Sequence, residues 1–557
     1  MTGRAPAVLA LALLAVVAGR AALAGEVRVT YALEGASAAE VETEITAPVE
    51  EALAKLPRLA RLRSASLAGR SVVTATFGGE ADVAAVRDAL AGIQRRLPPE
   101  VEPPLVQLAP RTLRDAIRYT LESEAVDLAT LAEIHEARVK PKLLAAPGVA
   151  EVRACGGARR EIRVEVDAER LAAVGLELGQ VLGAVRGGLV ERPGGRRDEG
   201  GGGAAPGVVG DLGDLVVAVR DGATVRVRDV ATVALARAPR DDLGWRDGRE
   251  VVEGVVLLRA GAPDDALDRV LRTLGELAAA LPENVRLRPI APRLHFRLTL
   301  PAGASLVFAR GVTVAIEKAA REAPAITSVL LEIGGPDDDL PRRPPNVADL
   351  LAEMKGDPEP AAAAIERAAR SVPGVGVRRL DGPGDERRVR LRGPDLDGLE
   401  RAAAAVLDAI RAAPGVRASG RDDDAWDTRK VVEIDRERAA ALGVAVPAVR
   451  EAVAARGDGI VVARAREGGR DLDVRLTVAG GLEKPTVRGL DGALVPLAAV
   501  ASLREERAPA VIRREGRARV ASVWFEAEAV AAAVAAARER LAAASVPEGV
   551  EVLWPAE

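Results

Sequence analysis

Two hydrophobic periods alternate along the chain. Over residues 27–33 apolar and polar positions alternate in steps of two, as in a half-buried strand. Over 38–56 the apolar positions recur every three or four residues, as on one face of a helix. Strand patterns return at 59–67 and 71–77, joined by Ala68-Gly69-Arg70. A helical pattern covers 83–97, and 101–108 is extended with Pro103 and Pro104. The order is β-α-β-β-α-β, the split-βαβ or ferredoxin-like order. A second unit begins with strand 116–121, helix 128–144 and strands 149–154 and 161–166. A stretch rich in Gly, Arg and Asp over 187–213 then reads as a loop, and short strands follow at 216–219 and 224–227. The unit resumes with strand 251–259, helix 266–281 and strand 285–288, so it carries an inserted subdomain.

From Leu294 the same programme runs again. The clearest copies are Val166-Asp167-Ala168-Glu169-Arg170-Leu171-Ala172-Ala173-Val174-Gly175 and Ile434-Asp435-Arg436-Glu437-Arg438-Ala439-Ala440-Ala441-Leu442-Gly443, offset by 268. Each reads as a strand, an Asp that caps a short helix, and a Gly that ends it. Glu34-Gly35-Ala36-Ser37 returns as Ala302-Gly303-Ala304-Ser305 at an offset of 268, and Pro147-Gly148 as Pro414-Gly415 at 267. Arg246-Asp247-Gly248-Arg249 returns as Arg514-Glu515-Gly516-Arg517, again at 268. One shared offset across separate blocks marks a tandem duplication. The expected fold class is α+β: duplicated ferredoxin-like units, each half with an insertion.

Composition narrows the functional classes. The chain has 557 residues, 48% apolar and 29% charged, which suits a multi-domain globular protein. Its 78 basic and 82 acidic residues leave a net charge of −4, so composition implies no polyanion-binding face. Aromatics at 2% argue against base-stacking platforms, and no nucleic-acid partner is expected. Residues 1–24 have the form of a secretory signal: Arg4, an apolar stretch, then Ala22-Leu23-Ala24. The alternative is an uncleaved inner-membrane anchor at residues 7–19. No later window is apolar over ~18 residues, so an exported, periplasmic product is expected.

The run Val29-Thr30, Gly35-Ala36-Ser37, Val41-Glu42 and Pro48-Val49-Glu50 resembles the opening of the periplasmic part of resistance–nodulation–division (RND) efflux pumps. Asp247-Gly248, Glu250-Val251, Gly254, Val256, Arg259 and Gly261 resemble a run typical of the heavy-metal-efflux branch. Val495-Pro496-Leu497, Val500-Ala501 and Ile512-Arg513-Arg514-Glu515-Gly516-Arg517 match the second half. The resemblance implies porter subdomains PN1 (25–112), PN2 (113–186 and 250–291), PC1 (292–384) and PC2 (385–456 and 517–557). It also implies docking subdomains DN (187–249) and DC (457–516). It further implies a homotrimer working with a periplasmic adaptor and an outer-membrane channel. The family's membrane helices, with their proton-relay residues, have no counterpart where Arg288-Pro289-Ile290-Ala291-Pro292-Arg293 joins the halves. The expectation is a substrate-binding and assembly module without its own proton-driven domain. The short, Gly-rich insertion after Leu189 puts the family's interlocking trimer loop in doubt. The alternatives are a free periplasmic metal- or solute-binding protein and a truncated remnant.

Residues for a site are sparse. Soft metals need Cys, Met or His. Cys155, Met354, His135 and His295 show no ligand spacing, and each reads as structural: Cys155 as a small core residue and Met354 as part of a helical face. Asp337-Asp338-Asp339 and Asp422-Asp423-Asp424 lack the order of a calcium loop and read as solvated. Phe77, Phe296, Phe308 and Phe525 are scattered rather than gathered into a drug pocket. No catalytic constellation is found, and no catalytic, cofactor or metal residue is assigned.

Overall fold

The computed structural model describes residues 25–555 except 80, 110–112, 191–207, 221, 260, 302, 336–342, 382–386, 422–425, 468–469, 480–484 and 544–545. The signal-like segment and both Asp triplets therefore lie outside the described residues. The rest is a mixed α/β structure in two halves, each with two α+β units that contribute four strands apiece.

The first unit places its strands in the lateral order Leu59–Leu67, Arg70–Phe77, Glu26–Ala32, Leu105–Ala109, all antiparallel. Alternation along Glu26–Ala32 sends Val27, Val29 and Tyr31 inward, as the period of two requires. They meet Val41, Ile45 and Val49 from the helical face behind the sheet. The second unit has the same order: Val149–Gly156, Arg249–Arg259, Leu113–Glu122, Arg286–Ile290. The third runs Ile326–Ile333, Val347–Met354, Leu294–Thr299, Gly376–Arg379. The fourth runs Val416–Arg421, Ala518–Ala527, Arg387–Gly393, Glu551–Leu553.

The units pair across the halves. In the first half, the hairpin strand Leu243–Arg246 folds back on Arg249–Arg259 and then pairs with Ile326–Ile333 of the third unit. Its repeat, Ile512–Glu515, does the same between Ala518–Ala527 and Leu59–Leu67 of the first unit. Two nine-stranded sheets result, each built from both halves. A four-stranded sheet forms a further shared layer: Ala231–Arg237, Arg160–Val166, Arg470–Val478, Ile460–Glu467. Arg160–Val166 and Arg470–Val478 run parallel there, as strands from separate halves can.

Side chains reinforce the crossing. Glu42, 1% exposed, accepts from Arg519 Nε and Nη2 (2.8 and 2.7 Å) and from Arg514 Nη1 (2.7 Å). Burial alone would raise its carboxyl, but the two guanidinium groups hold it below the ordinary range. Arg450, on a helix of the second half, donates to Glu100 (2.6 Å) and Glu44 (2.7 Å) of the first unit.

Three sequence readings change. Strand Arg160–Val166, grouped by sequence with the second unit, lies in the shared four-stranded sheet. Val164, Val166, Ala168 and Leu171 pack there against Ala439, Val444 and Val500. The repeated Asp-to-Gly segments thus pack against that layer through Ala168, Leu171 and Ala439, a placement that local pattern cannot specify. The stretch 187–213 is not all loop, since helix Leu178–Val190 enters it and helix Val208–Gly213 leaves it. Met354 ends a strand, Val347–Met354, rather than lying on a helix. That strand is buried on both faces except at Glu353, with Asp349 held inside by Arg297 and Arg343, so apolar residues fall on both faces and the period of two is lost.

The caps hold as read. Asp167 Oδ1 accepts from Glu169 N (2.9 Å) and Arg170 N (3.1 Å), and Asp435 Oδ1 accepts from Arg438 N (2.8 Å). Gly175 and Gly443 close the helices at φ of 65° and 64°, where a Cβ is strained. Asp167→Ala and Asp435→Ala should each lower the unfolding free energy by about 1 kcal/mol in urea titrations. Glu42→Ala removes the carboxylate shared by two part-buried guanidinium groups, of which Arg514 keeps Glu50 at 3.0 Å, and should cost about 1–3 kcal/mol in the same assay.

Candidate functional site

Between the third and fourth units the structure opens a cleft of about 540 Å³. Its walls are strand Gly376–Arg379, at one edge of the third unit's sheet, and strand Val416–Arg421, beside Ala518–Ala527 in the fourth. Among the described residues six arginines line it, Arg297, Arg370, Arg378, Arg411, Arg417 and Arg421, and no described aspartate or glutamate does. Arg297 and Arg378 come from neighbouring antiparallel strands and oppose each other in the register. Arg417 and Arg421 come from the facing strand, while Arg370 and Arg411 end the two helices that flank the cleft.

Trp524 forms an apolar wall. The Arg378 guanidinium lies 4.7 Å from its ring centroid, a cation–π contact, and Trp524 Nε1 donates to the Arg421 carbonyl at 3.1 Å. Gly420 makes room for the indole, because a Cβ there would come within 2.8 Å of ring atoms. Carboxylates stand behind some of the arginines. Arg297 is held by Asp349 through two bonds (2.9 and 3.2 Å), Arg370 donates to Glu366 (2.8 Å) and Arg417 to Glu528 (3.3 Å). These carboxylates anchor the guanidinium stems without joining the lining.

A second cluster lies where the second and third units meet. Arg118 Nη1 donates to Glu253 Oε1 (2.6 Å) and to Glu332 Oε2 (2.5 Å). Arg343 then bridges Glu332 (2.7 Å) and Asp349 (2.6 Å), which links this cluster to the Arg297 wall of the cleft. Burial would raise Asp349, but Arg343, His295 and Arg297 hold it well below the usual carboxylate range. Glu253 goes the other way. Full burial and the adjoining Glu332 push it up to about 8, against the pull of Arg118. Its Oε2 is buried without a hydrogen-bond partner, which makes it the oxygen on which a proton would sit.

The residues considered from sequence are spread over the fold. Cys155 is fully buried, and its Sγ and one oxygen each of Glu253 and Glu332 all lie within 4.8 Å of one another. This three-donor set was invisible in spacing, because its members are 98 and 79 residues apart and meet only across paired sheets. Arg118 already occupies both carboxylates, so a cation there would have to displace a guanidinium. His135 Nε2 meets Tyr119 Oη at 2.8 Å inside the second unit, and His295 Nε2 meets Asp349 at 3.2 Å. Met354 is buried in the third core. Phe77, Phe296 and Phe525 are buried in three separate cores, and Phe308 is exposed near a helix start. Sequence reasoning missed the cleft arginines altogether. The clustering of Arg370, Arg378, Arg411, Arg417 and Arg421 within 52 residues was the available signal.

A family profile described as the AcrB/AcrD/AcrF family matches residues 22–296 and, a second time, 292–557. Among curated proteins, the cation efflux system protein CzcA of Alcaligenes sp. (strain CT14) is 29% identical over 292 residues, covering 48% of this chain and 27% of that protein. The cobalt-zinc-cadmium resistance protein CzcA of Cupriavidus metallidurans gives the same figures. Protein HelA of Legionella pneumophila is 30% identical over 282 residues, covering 47% and 26%. The chain thus spans about a quarter of the length of the curated relatives it matches. A crystal structure of a heavy metal efflux pump superposes with a TM-score of 0.79 at 18% identity, over 98% of this chain and 82% of that one. A second crystal form gives 0.77. No helix among the described residues is long and apolar enough to cross a membrane.

The raised Glu253 sets a pH dependence. The native state holds a proton that the unfolded chain releases, so this group's contribution to stability falls as pH rises from about 4.5 towards 8. The slope is at most about 1.4 kcal/mol per pH unit. Asp349, lowered in the fold, acts on the acid side and loses its contribution only as pH falls below the ordinary carboxylate range. Glu253→Gln should therefore stabilise the protein at pH 8 relative to pH 5, measured as a smaller difference between the two melting temperatures.

Proposed function

The chain belongs to the AcrB/AcrD/AcrF family, and from that premise we propose that it is the porter and docking part of an RND-type efflux system, acting as a substrate-binding and assembly module. In this reading the four α+β units are ferredoxin-like porter subdomains PN1, PN2, PC1 and PC2, and the layer around Arg160–Val166 and Arg470–Val478 is the docking region. The strand order within each unit and the doubled family match support the duplication. The observation that carries the reading is the cleft between the third and fourth units. It is concave, lined by polar groups on rigid strands, and about 540 Å³ in volume, within the range of small-ligand sites.

The crosswise pairing fits the same function. Each nine-stranded sheet contains one unit from each half. The cleft lies between the third unit, in one sheet, and the fourth, in the other, so a shift of one sheet against the other would change its width. Proton-driven work requires carboxylates within a membrane, and that part of the cycle is assigned to other segments or partners. The module is placed in the periplasm as a homotrimer engaging an adaptor and an outer-membrane channel. The relatives named for cation efflux and for cobalt, zinc and cadmium resistance support an exported solute as the cargo.

Analytical ultracentrifugation of the chain at micromolar concentration, alone and with a periplasmic adaptor of a CzcA-type system, tests the assembly role. A trimer, or a stable complex with the adaptor, is expected. A monomer that shows no association with the adaptor would overturn it.

A further inference from the structure

The exchanged strand Leu243–Arg246 is short, and the ladder on one side of it ends early. It pairs with Ile326–Ile333 from the Leu243–Ile333 pair onward, but with Arg249–Arg259 only as far as the Gly244–Val251 pair. Glu253 stands two residues beyond that pair, on the same face of the sheet as Val251, and Glu332 lies opposite Gly244 on that face too. Gly244 puts no side chain into the row between them. Arg118 spans the gap: its Nη1 donates to Glu253 at 2.6 Å and to Glu332 at 2.5 Å. Where the backbone ladder stops, a guanidinium carries the contact between the second and third units.

The bridge lies inside the protein. Glu253, Glu332 and Cys155 are each at most 1% exposed, and the Cys155 Sγ and one oxygen of each carboxylate lie within 4.8 Å of one another. Glu253 is opposite Cys155 in one strand pair and Thr120 in the other, and Thr120 Oγ1 accepts from Arg246 at 2.9 Å. Asp242, also buried, immediately precedes the exchanged strand. Tyr119 covers Gly254 on the opposite face, where it meets His135. Of the four oxygens of Glu253 and Glu332, three accept from Arg118 or Arg343, and Glu253 Oε2 has no hydrogen-bond partner. A buried oxygen without a donor is tolerated when it carries a proton and strongly destabilising when it carries charge. Burial and the adjoining Glu332 accordingly raise Glu253 to about 8, against the pull of Arg118 and Arg343.

We propose that Glu253 is a proton-operated latch between the second and third units: with a proton on Oε2 the Glu253–Arg118–Glu332 bridge is closed, and without it the seam beside Leu243–Arg246 opens to water. Opening hydrates Glu253, returns its carboxyl to the ordinary range and releases one proton. The open population therefore rises with pH, by up to about tenfold per unit, and levels off above about 8. The other seam has the opposite character. Glu42 is held ionised there by Arg519 and Arg514 and takes up no proton over that range. A rise in pH thus loosens one seam and leaves the other shut. The latch is a property of the seam and does not depend on the porter reading.

Cys155 is the one thiol of the chain and sits in the latch, so its reaction with 4,4′-dithiodipyridine reports opening. The labelling rate of the full chain, divided at each pH by the rate of the urea-unfolded chain, gives the open fraction. That fraction should climb at least about tenfold between pH ~5.5 and pH ~8 and then level off. In Glu253→Gln, which keeps the shape and has no titrating proton, it should stay constant over the same range. Hydrogen exchange, corrected for its intrinsic pH dependence, gives a second measurement that needs no variant. Amides of Leu243–Arg246 should lose protection as pH rises, and those of Ile512–Glu515 should not. A flat open fraction in the unmodified sequence, the same climb in Glu253→Gln, equal loss of protection at both seams, or labelling no faster than global unfolding would overturn the latch.

Discussion

Everything else in this structure depends on an exchange of strands between its halves. A four-residue strand from each half, Leu243–Arg246 and Ile512–Glu515, adds to a sheet edge of the other. The backbone bonds supply register, and the buried ion pairs around Glu42 and Glu332 supply specificity, because Arg118 reaches Glu332, and Arg514 and Arg519 reach Glu42, only in the crossed arrangement. Removing either partner of the Arg118–Glu332 pair would leave a largely buried charge with one partner fewer.

The exchange also determines where a ligand can go. In the third unit it commits the Ile326–Ile333 edge to the other half, which leaves Gly376–Arg379 at the opposite edge. In the fourth unit Val416–Arg421 shares the side of Ala518–Ala527 with the exchanged strand. The two remaining edges face each other, and the cleft is the space between them. Its arginine wall is tied to the inter-half cluster through Asp349, which holds Arg297 on one side and Arg343 on the other. One carboxylate thus joins the body that carries the cleft to the seam that holds the halves together.

The positive cleft lies in a family whose named relatives here include proteins of cation efflux and of cobalt, zinc and cadmium resistance. Family membership determines the scaffold, while the side chains of a site determine what it can bind.

Periodicity alone yielded the element order, the duplication and the capping residues. Strands such as Glu26–Ala32 alternate strictly, Asp167 and Asp435 satisfy local N–H groups, and Gly175 and Gly443 meet a purely local backbone demand. Those features are legible because the interactions that cause them span a few residues. Local pattern failed where burial came from both sides, as at Val347–Met354, or where a strand's partner was hundreds of residues away, as at Arg160–Val166. The candidate site was illegible for the same reason. Arg297 and Arg421 are 124 residues apart, and Cys155, Glu253 and Glu332 have no common spacing. Only the tertiary structure gathers scattered residues of the second half into a cleft lined by six described arginines, and residues of both halves into a buried cluster of alternating sign, because pairing across sheets depends on the register of whole strands.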